Sequence, residues 1–158
     1  MQAQHEATMK KNSDNTLFLG DFLPYRLAVL SNKISRSIAD EYEEQFQLSV
    51  SEWRVMAVLG GEPDLSAGQV ADRTAMDKVA VSRAVNRLID AGRLTRSFSP
   101  EDRRRSVLRL SDSGEKIYAQ IVPIALSYER KILDQLSESE QAQLDTVLKK
   151  MENIKIHF

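Results

Sequence analysis

The chain has 158 residues, 42% of them hydrophobic, and a formal net charge of −1, which suits one compact domain or a domain with appended helices. It has no Cys, which excludes disulfides and thiol redox sensing. Its two histidines, His5 and His157, lie at opposite ends of the chain, which argues against a His-based metal centre or catalytic triad. No apolar run approaches membrane-spanning length and the first residues do not resemble a signal peptide, so we expect a soluble, cytoplasmic protein without a cofactor.

The first part of the chain is predicted to be a mobile tail followed by a long helix. Residues 1–16 are polar and carry no apolar pattern. From Leu23 to about Phe46, apolar side chains recur every three or four residues, which is the spacing of an amphipathic helix. Pro24 fits the first turn of that helix.

Two shorter helices are predicted next. Ser49 begins the first of them with a capping-box sequence, and the glycine pair ending at Gly61 stops it. Ser66 and Gln69 form a second capping box, which predicts a short helix running to about Arg73.

A fourth helix and a hairpin follow. Asp77 is a good N-cap for a helix over residues 78–91, and Gly92 lies where a C-terminal glycine cap belongs. Residues 94–98 and 106–110 are predicted to be short strands joined by a charged turn.

Two further helices complete the predicted fold, which is mainly α with a small β-hairpin wing. Ser111 caps a long fifth helix that Pro123 is expected to kink, and Ser137 with Glu140 caps a sixth. The apolar stripe expected on the fifth helix comprises Ile117, Ile121, Ala125, Tyr128, Ile132 and Leu136. The stripes of the first, fifth and sixth helices are too extensive for a small winged core to cover.

A basic segment lies inside an otherwise acidic chain. From Arg73 to Arg109 there are ten basic and four acidic residues, a net charge of +6, so the remainder carries −7. Such a segment is typical of a surface that binds phosphates, although a solvated charged surface has the same composition.

A short helix, a tight turn, a second helix and a hairpin together form a winged helix–turn–helix, whose second helix reads the DNA major groove. On the face of that helix opposite its apolar side, the candidate DNA-binding residues are Lys78, Val79, Ser82, Arg83, Asn86 and Arg87. Arg can pair with guanine, Asn with adenine, and Ser and Lys with phosphates. An ordinary amphipathic helix also has a polar face, so this pattern alone does not decide the function.

The predicted hairpin tip strengthens the DNA-binding interpretation. Arg103, Arg104 and Arg105 are adjacent there, and Glu101 and Asp102 offset only part of their charge. DNA phosphates could offset the rest, and an Arg at the tip could enter the minor groove. A solvated loop is the alternative, and it is less consistent with a neighbouring helix–turn–helix.

These motifs resemble those of the MarR family of multiple-antibiotic-resistance regulators. The resemblance rests on Asp102-Arg103-Arg104 followed by Leu110-Ser111-Asp112-Ser113-Gly114, on Leu48-Ser49 with Trp53-Arg54-Val55, and on Val81-Ser82-Arg83 with Leu88 and Gly92. They occur in the family's order and spacing, and the resemblance extends over residues 22–155.

The resemblance implies a homodimer that binds an inverted repeat in double-stranded DNA. It implies a helical dimerisation region over residues 17–47 and 111–158 and a winged helix–turn–helix over 48–110. It also implies that Arg104 enters the minor groove and that Asp102 pairs with it and orients it.

The resemblance further implies a small aromatic effector that weakens DNA binding. Phe22–Leu27 and Ala75–Arg83 resemble a branch that responds to hydroxycinnamate-type acids or their CoA thioesters. The candidate ligand-binding residues are Arg26 for a carboxylate and Trp53 and Met56 for an aromatic ring. A surface ion pair for Arg26 and a plain core role for the other two are the alternatives.

The leading interpretation is therefore a DNA-binding repressor that a small ligand releases, and not an enzyme. No paired carboxylates, nucleophile–base set or phosphate-binding Gly loop is recognised in the sequence. The alternatives are a ligand-independent or architectural DNA-binding protein and a winged-helix module that binds only proteins.

Overall fold

The computed structural model describes residues 16–98, 101 and 106–155, and over these residues the chain forms six α-helices and one two-stranded antiparallel hairpin. The chain divides into two compact units between Val50 and Ser51. This mainly α architecture with a hairpin confirms the predicted fold class.

The first unit is dominated by helix α1, Leu23–Phe46, which follows a 3-10 turn at Leu19–Asp21. Pro24 lies in the first turn of α1, as predicted, because the helix needs no backbone donor there. Gln47 ends the helix in a left-handed conformation with φ 50°. Many apolar side chains of this unit are exposed: Leu17, Phe18, Leu19, Phe22, Leu23, Tyr25, Leu27, Val29 and Leu30.

The second unit contains the helix–turn–helix, formed by α3, Ala67–Thr74, and α4, Lys78–Asp90, after α2, Val50–Gly61. The predicted capping box of α3 is present: the Gln69 amide N donates to Ser66 Oγ at 3.2 Å, and the Ser66 N donates to Gln69 Oε1 at 2.9 Å. The predicted cap of α4 is also confirmed, since Asp77 Oδ1 accepts from the Ala80 amide at 2.8 Å.

The hairpin comprises β1, Leu94–Phe98, and β2, Ser106–Leu110, with the predicted bounds, and is called the wing below. Leu94 pairs with Leu110 and Phe98 with Ser106. Leu65 adds a single antiparallel bridge on the other edge of β2, where the Leu108 amide donates to the Leu65 carbonyl at 2.8 Å. Both edges of β2 are thus bonded at the base of the wing.

Hydrogen bonds and a close backbone approach fix the junction between the wing and the helix that follows it. Gly92, the predicted C-terminal cap of α4, has φ 70°, a conformation that glycine adopts without strain. The Ser111 hydroxyl donates to the Gly92 carbonyl at 2.6 Å, and the Ser111 amide donates to the Arg93 carbonyl at 3.0 Å. A Cβ on Gly114 would lie 2.1 Å from the Arg93 carbonyl oxygen, so any side chain there would force the backbone to move.

Two helices complete the second unit: α5, Asp112–Leu133, capped by Ser111, and α6, Glu138–Glu152. Pro123 lies inside α5, which continues for ten residues beyond it. Leu136, predicted on the α5 stripe, lies past the end of that helix, because a turn precedes the capping box of Ser137 that begins α6. That capping box was predicted and is present.

The core of the second unit lies where the helix–turn–helix, the base of the wing and α5 contribute apolar side chains. Its buried members are Val55, Met56, Leu59, Leu65, Val70, Ala71, Val81, Ala84, Val85, Leu88, Leu94, Leu108, Leu110 and Ile121. Each fully buried Leu or Val contributes about 1.5–3 kcal/mol, so this core fixes α4 and the wing base firmly.

Candidate nucleic-acid interface

Helix α4 separates its side chains into two faces. The buried face comprises Val81, Ala84, Val85 and Leu88. All six residues predicted to bind DNA lie on the exposed face: Lys78, Val79, Ser82, Arg83, Asn86 and Arg87. The structure therefore brings these predicted residues together on one accessible surface, called the α4 face below, which a major groove can accommodate.

The turn before α4 sets where this helix begins. Thr74 is buried, and its hydroxyl donates to the Val70 carbonyl at 2.9 Å, which closes the end of α3. Ala75 then takes a left-handed conformation with φ 52°, and Asp77 caps the new helix. The direction change between the two helices is thus concentrated in three residues.

The described part of the wing contributes two exposed side chains that the sequence reasoning did not single out. Arg96 and Phe98 lie on the same face of β1 as Leu94, but only Leu94 is buried. Phe98 is 67% exposed. Their alternation with Leu94 along β1 was the available signal.

The predicted wing-tip residues Asp102, Arg103, Arg104 and Arg105 lie outside the described residues. The minor-groove role of Arg104 and the orienting role of Asp102 therefore stay predictions.

Among the described residues, the two basic side chains at the ends of the basic segment pair with acids that precede it. Arg73 Nε lies 2.8 Å from Glu62 Oε2. Arg109 bonds Asp64 through two nitrogens, with Nε 2.8 Å from Oδ1. The hydrogen bond from Arg109 lowers the pKa of the Asp64 carboxyl below its ordinary value.

These ion pairs reduce the positive charge that the basic segment can offer to a ligand. Extending the segment back to Glu62 adds three acids and no base, which reduces its net charge from +6 to +3. Since the charges of Arg73 and Arg109 are offset by carboxylate partners, the exposed cations of α4, Lys78, Arg83 and Arg87, become the main described part of the basic segment that can face phosphates.

The candidate ligand residues occur in different units. Arg26 belongs to the first unit and lines a largely apolar groove of about 470 Å³ together with Leu23, Leu27, Leu30 and Lys33. Trp53 and Met56 belong to the second unit, where Met56 is fully buried and Trp53 partly so. A common pocket for the three residues stays a prediction.

Tyr118 of α5 is a neighbour of Trp53 that the sequence did not indicate. The two ring centroids are 6.0 Å apart with planes inclined by 30°. The Tyr118 ring also lies over Gly60, where a Cβ would come within 2.4 Å of it. This contact joins α2 to α5 at a glycine, and no local sequence pattern predicts it.

The part of the chain that the structure describes contains no cluster of three or more His, Asp or Glu side chains able to hold a metal ion. No helix within the same residues combines the length and apolar composition needed to cross a bilayer.

The helix–turn–helix, its exposed basic reading surface and the hairpin define a winged helix–turn–helix protein of the DNA-binding class. The sequence model of the MarR family matches residues 46–105, which contain all of these elements except the second wing strand. Transcriptional regulator HosA of Escherichia coli O111:H- is 27% identical over 106 residues, covering 67% of this chain and 78% of HosA. In sequence over residues 46–105 and in fold, the chain is similar to transcriptional regulators of the MarR family.

Solved structures of other proteins have the same fold as this chain. A MarR/EmrR family transcriptional regulator from Acinetobacter sp. ADP1 superposes with a TM-score of 0.78 at 28% identity, covering 87% of this chain and 96% of that one. S. aureus MepR, solved in complex with DNA, gives a TM-score of 0.73 at 24% identity, with 82% and 96% covered. Bordetella bronchiseptica BpsR, whose DNA binding is regulated by 6-hydroxynicotinic acid, gives 0.76 at 20% identity, with 89% and 99% covered. The named relatives are regulators and not enzymes, as expected for this chain.

Proposed function

We propose that this chain is a homodimeric repressor that binds an inverted repeat in DNA and is released by a small aromatic acid or its CoA thioester. The observation that carries the DNA-binding part is the α4 face, on which three cations and two hydrogen-bonding side chains are exposed together. Because the proposed target is double-stranded DNA, we propose that the protein acts in the cytoplasm.

Arg83 is proposed to contact a base because it lies mid-way along the α4 face and is exposed. Arg83→Ala should weaken specific binding by about 1–3 kcal/mol per half-site and relax the sequence preference. The control is Lys149→Ala, which removes one positive charge from α6, where Lys149 is paired with Asp145 at 2.7 Å. Fluorescence anisotropy measures the affinity of both variants for a selected operator and for random DNA. Equal weakening on both DNAs would identify Arg83 as a phosphate contact.

The homodimer is supported by exposed apolar side chains on several helices. Besides those of the first unit, Leu126, Ile132, Leu144, Val147, Leu148 and Ile154 are exposed. Exposed apolar side chains in such numbers favour association with another chain. We propose residues 17–47 and 111–158 as the dimerisation region and 48–110 as the DNA-binding domain.

A charge introduced into this surface tests the dimer. Leu30 is 55% exposed on α1, so Leu30→Glu should give a monomer at micromolar concentration in sedimentation equilibrium. The control, Phe98→Glu, alters an apolar residue of the wing that is even more exposed, at 67%, and should leave the dimer intact. A wild-type chain that sediments as a monomer at micromolar concentration would contradict the proposal.

The effector is supported by the apolar groove beside Arg26, whose guanidinium suits a carboxylate, and by the regulation of BpsR by 6-hydroxynicotinic acid. Trp53 is the only Trp, so its fluorescence reports ligand binding near it. A panel of aromatic acids and CoA thioesters should contain a compound that changes this fluorescence and weakens operator binding. If no compound changes operator binding, the ligand-independent alternative is favoured.

A further inference from the structure

Val79 is an unusual residue for its position. It is 59% exposed in the first turn of α4, beside the polar side chains of Lys78, Ser82 and Arg83. A β-branched side chain lowers helix propensity, and at this exposure it adds little to the core. The helix is held by its buried face instead, so folding alone gives no reason for a valine here.

The residues that surround Val79 on the α4 face are polar or charged. The other exposed residues of the helix are all polar or charged: Lys78, Ser82, Arg83, Asn86, Arg87 and Asp90. Val79 precedes Ser82 by three residues and Arg83 by four, so the three side chains are neighbours on one surface. An apolar group is therefore set inside a surface that is otherwise suited to hydrogen bonding.

We infer that Val79 reads a thymine in each half-site by packing its methyl groups against the thymine C5 methyl. This inference rests on the proposed DNA-binding function and names one of its specificity determinants. Among the groups that the four base pairs present in the major groove, the thymine methyl is the apolar one. Residues near the start of a reading helix lie against base edges, and Val79 is the second residue of α4.

The geometry also locates the thymine. Side chains four residues apart on a helix have Cβ atoms about 5–6 Å apart. Base pairs along DNA are separated by about 3.4 Å. The thymine that Val79 contacts therefore lies within about two base-pair steps of the pair that Arg83 contacts.

Replacing thymine with uracil removes only the methyl group and tests the inference directly. Operator sequences are first selected from a random duplex pool with the full-length wild-type protein. Each thymine of a half-site is then replaced by uracil in turn, in both half-sites at once. One position should weaken binding about fourfold per half-site, the effect of about one buried methyl group. It should lie within two pairs of the position whose preference Arg83→Ala relaxes.

The variant Val79→Ala should bind the thymine and uracil operators equally, because it lacks the methyl groups that make the contact. Ser82→Ala is the matched control, since it shortens a neighbour on the same face and should keep the uracil sensitivity. Because Val79 is exposed, the urea midpoint of Val79→Ala should equal or exceed that of the wild type, which separates a lost contact from lost folding.

Two results would overturn the inference while leaving DNA binding in place: no thymine whose replacement weakens wild-type binding, or uracil sensitivity that Val79→Ala retains. A wild-type protein that selects no sequence from the pool would instead overturn the proposed function, and this inference with it.

Discussion

Gly114 makes the closest backbone approach at the base of the wing, and Gly114→Ala should destabilise the protein. The new Cβ would meet the Arg93 carbonyl oxygen at 2.1 Å, whereas ordinary contacts lie at 3.4–4 Å. The start of α5 must therefore move away from Arg93 by more than about 1 Å. That movement pulls on the two hydrogen bonds by which Ser111 holds the Gly92 and Arg93 carbonyls.

The expected magnitude follows from opposing effects. Overpacking of this kind costs about 1–3 kcal/mol, and each weakened hydrogen bond adds up to about 1 kcal/mol. Alanine in a helix gains about 0.5–1 kcal/mol over glycine. The net loss should be about 1–3 kcal/mol in the free energy of unfolding, measured by urea titration. Operator binding should weaken as well, because the base of the wing moves.

Gly68→Ala is the matched control, since Gly68 is also helical but its added Cβ would meet nothing closer than Ser66 Oγ at 3.9 Å. This variant should be neutral or more stable by up to about 1 kcal/mol. If Gly114→Ala proved as stable as Gly68→Ala, the close approach to Arg93 would not constrain the chain and the reasoning would be wrong.

Three further predictions concern the turn, the wing base and the wing tip. Ala75→Gly should raise the free energy of unfolding by up to about 1 kcal/mol, because glycine adopts φ 52° without the strain that alanine carries; a lower urea midpoint would contradict this. Asp64→Asn should destabilise the protein at neutral pH, since it removes the carboxylate that Arg109 bonds. The pKa of the Asp64 carboxyl is lowered in the folded state, so the pair contributes its full stabilisation above the unfolded carboxyl pKa of about 4, and this stabilisation is lost as the pH falls through the folded pKa. The free energies of unfolding of wild type and variant should therefore converge in acid. A difference that stays constant with pH would refute the pairing. Arg104→Ala should weaken operator binding and reduce its salt dependence by about one unit of slope. Asp102→Ala should also weaken specific binding, although it increases the local positive charge. If Asp102→Ala bound the operator more tightly than wild type, Asp102 would not orient Arg104.

The sequence predicted the helix starts well because capping is local. Ser66, Asp77, Ser111 and Ser137 each accept a bond from a backbone amide three residues on, so the signal lies within one turn. The two faces of α4 were predicted for a similar reason, since helical periodicity alone separates them.

Long-range pairings were beyond the sequence reasoning. Asp64 and Arg109 are 45 residues apart, and nothing near either residue indicates its partner. Counting charges in a window therefore overstated the positive charge available to DNA. The packing of Tyr118 over Gly60 is likewise determined by the tertiary fold.

The division of α4 into two faces has a consequence for how such a regulator acquires new target sites. Its four buried residues, Val81, Ala84, Val85 and Leu88, hold the helix in place, and its exposed residues add little to that attachment. Substitutions on the exposed side can therefore accumulate with little loss of folding stability. Because we propose that the α4 face reads the operator, we expect that divergence after duplication, or deliberate redesign, can change the target sequence through a few solvent-facing positions while the scaffold stays the same.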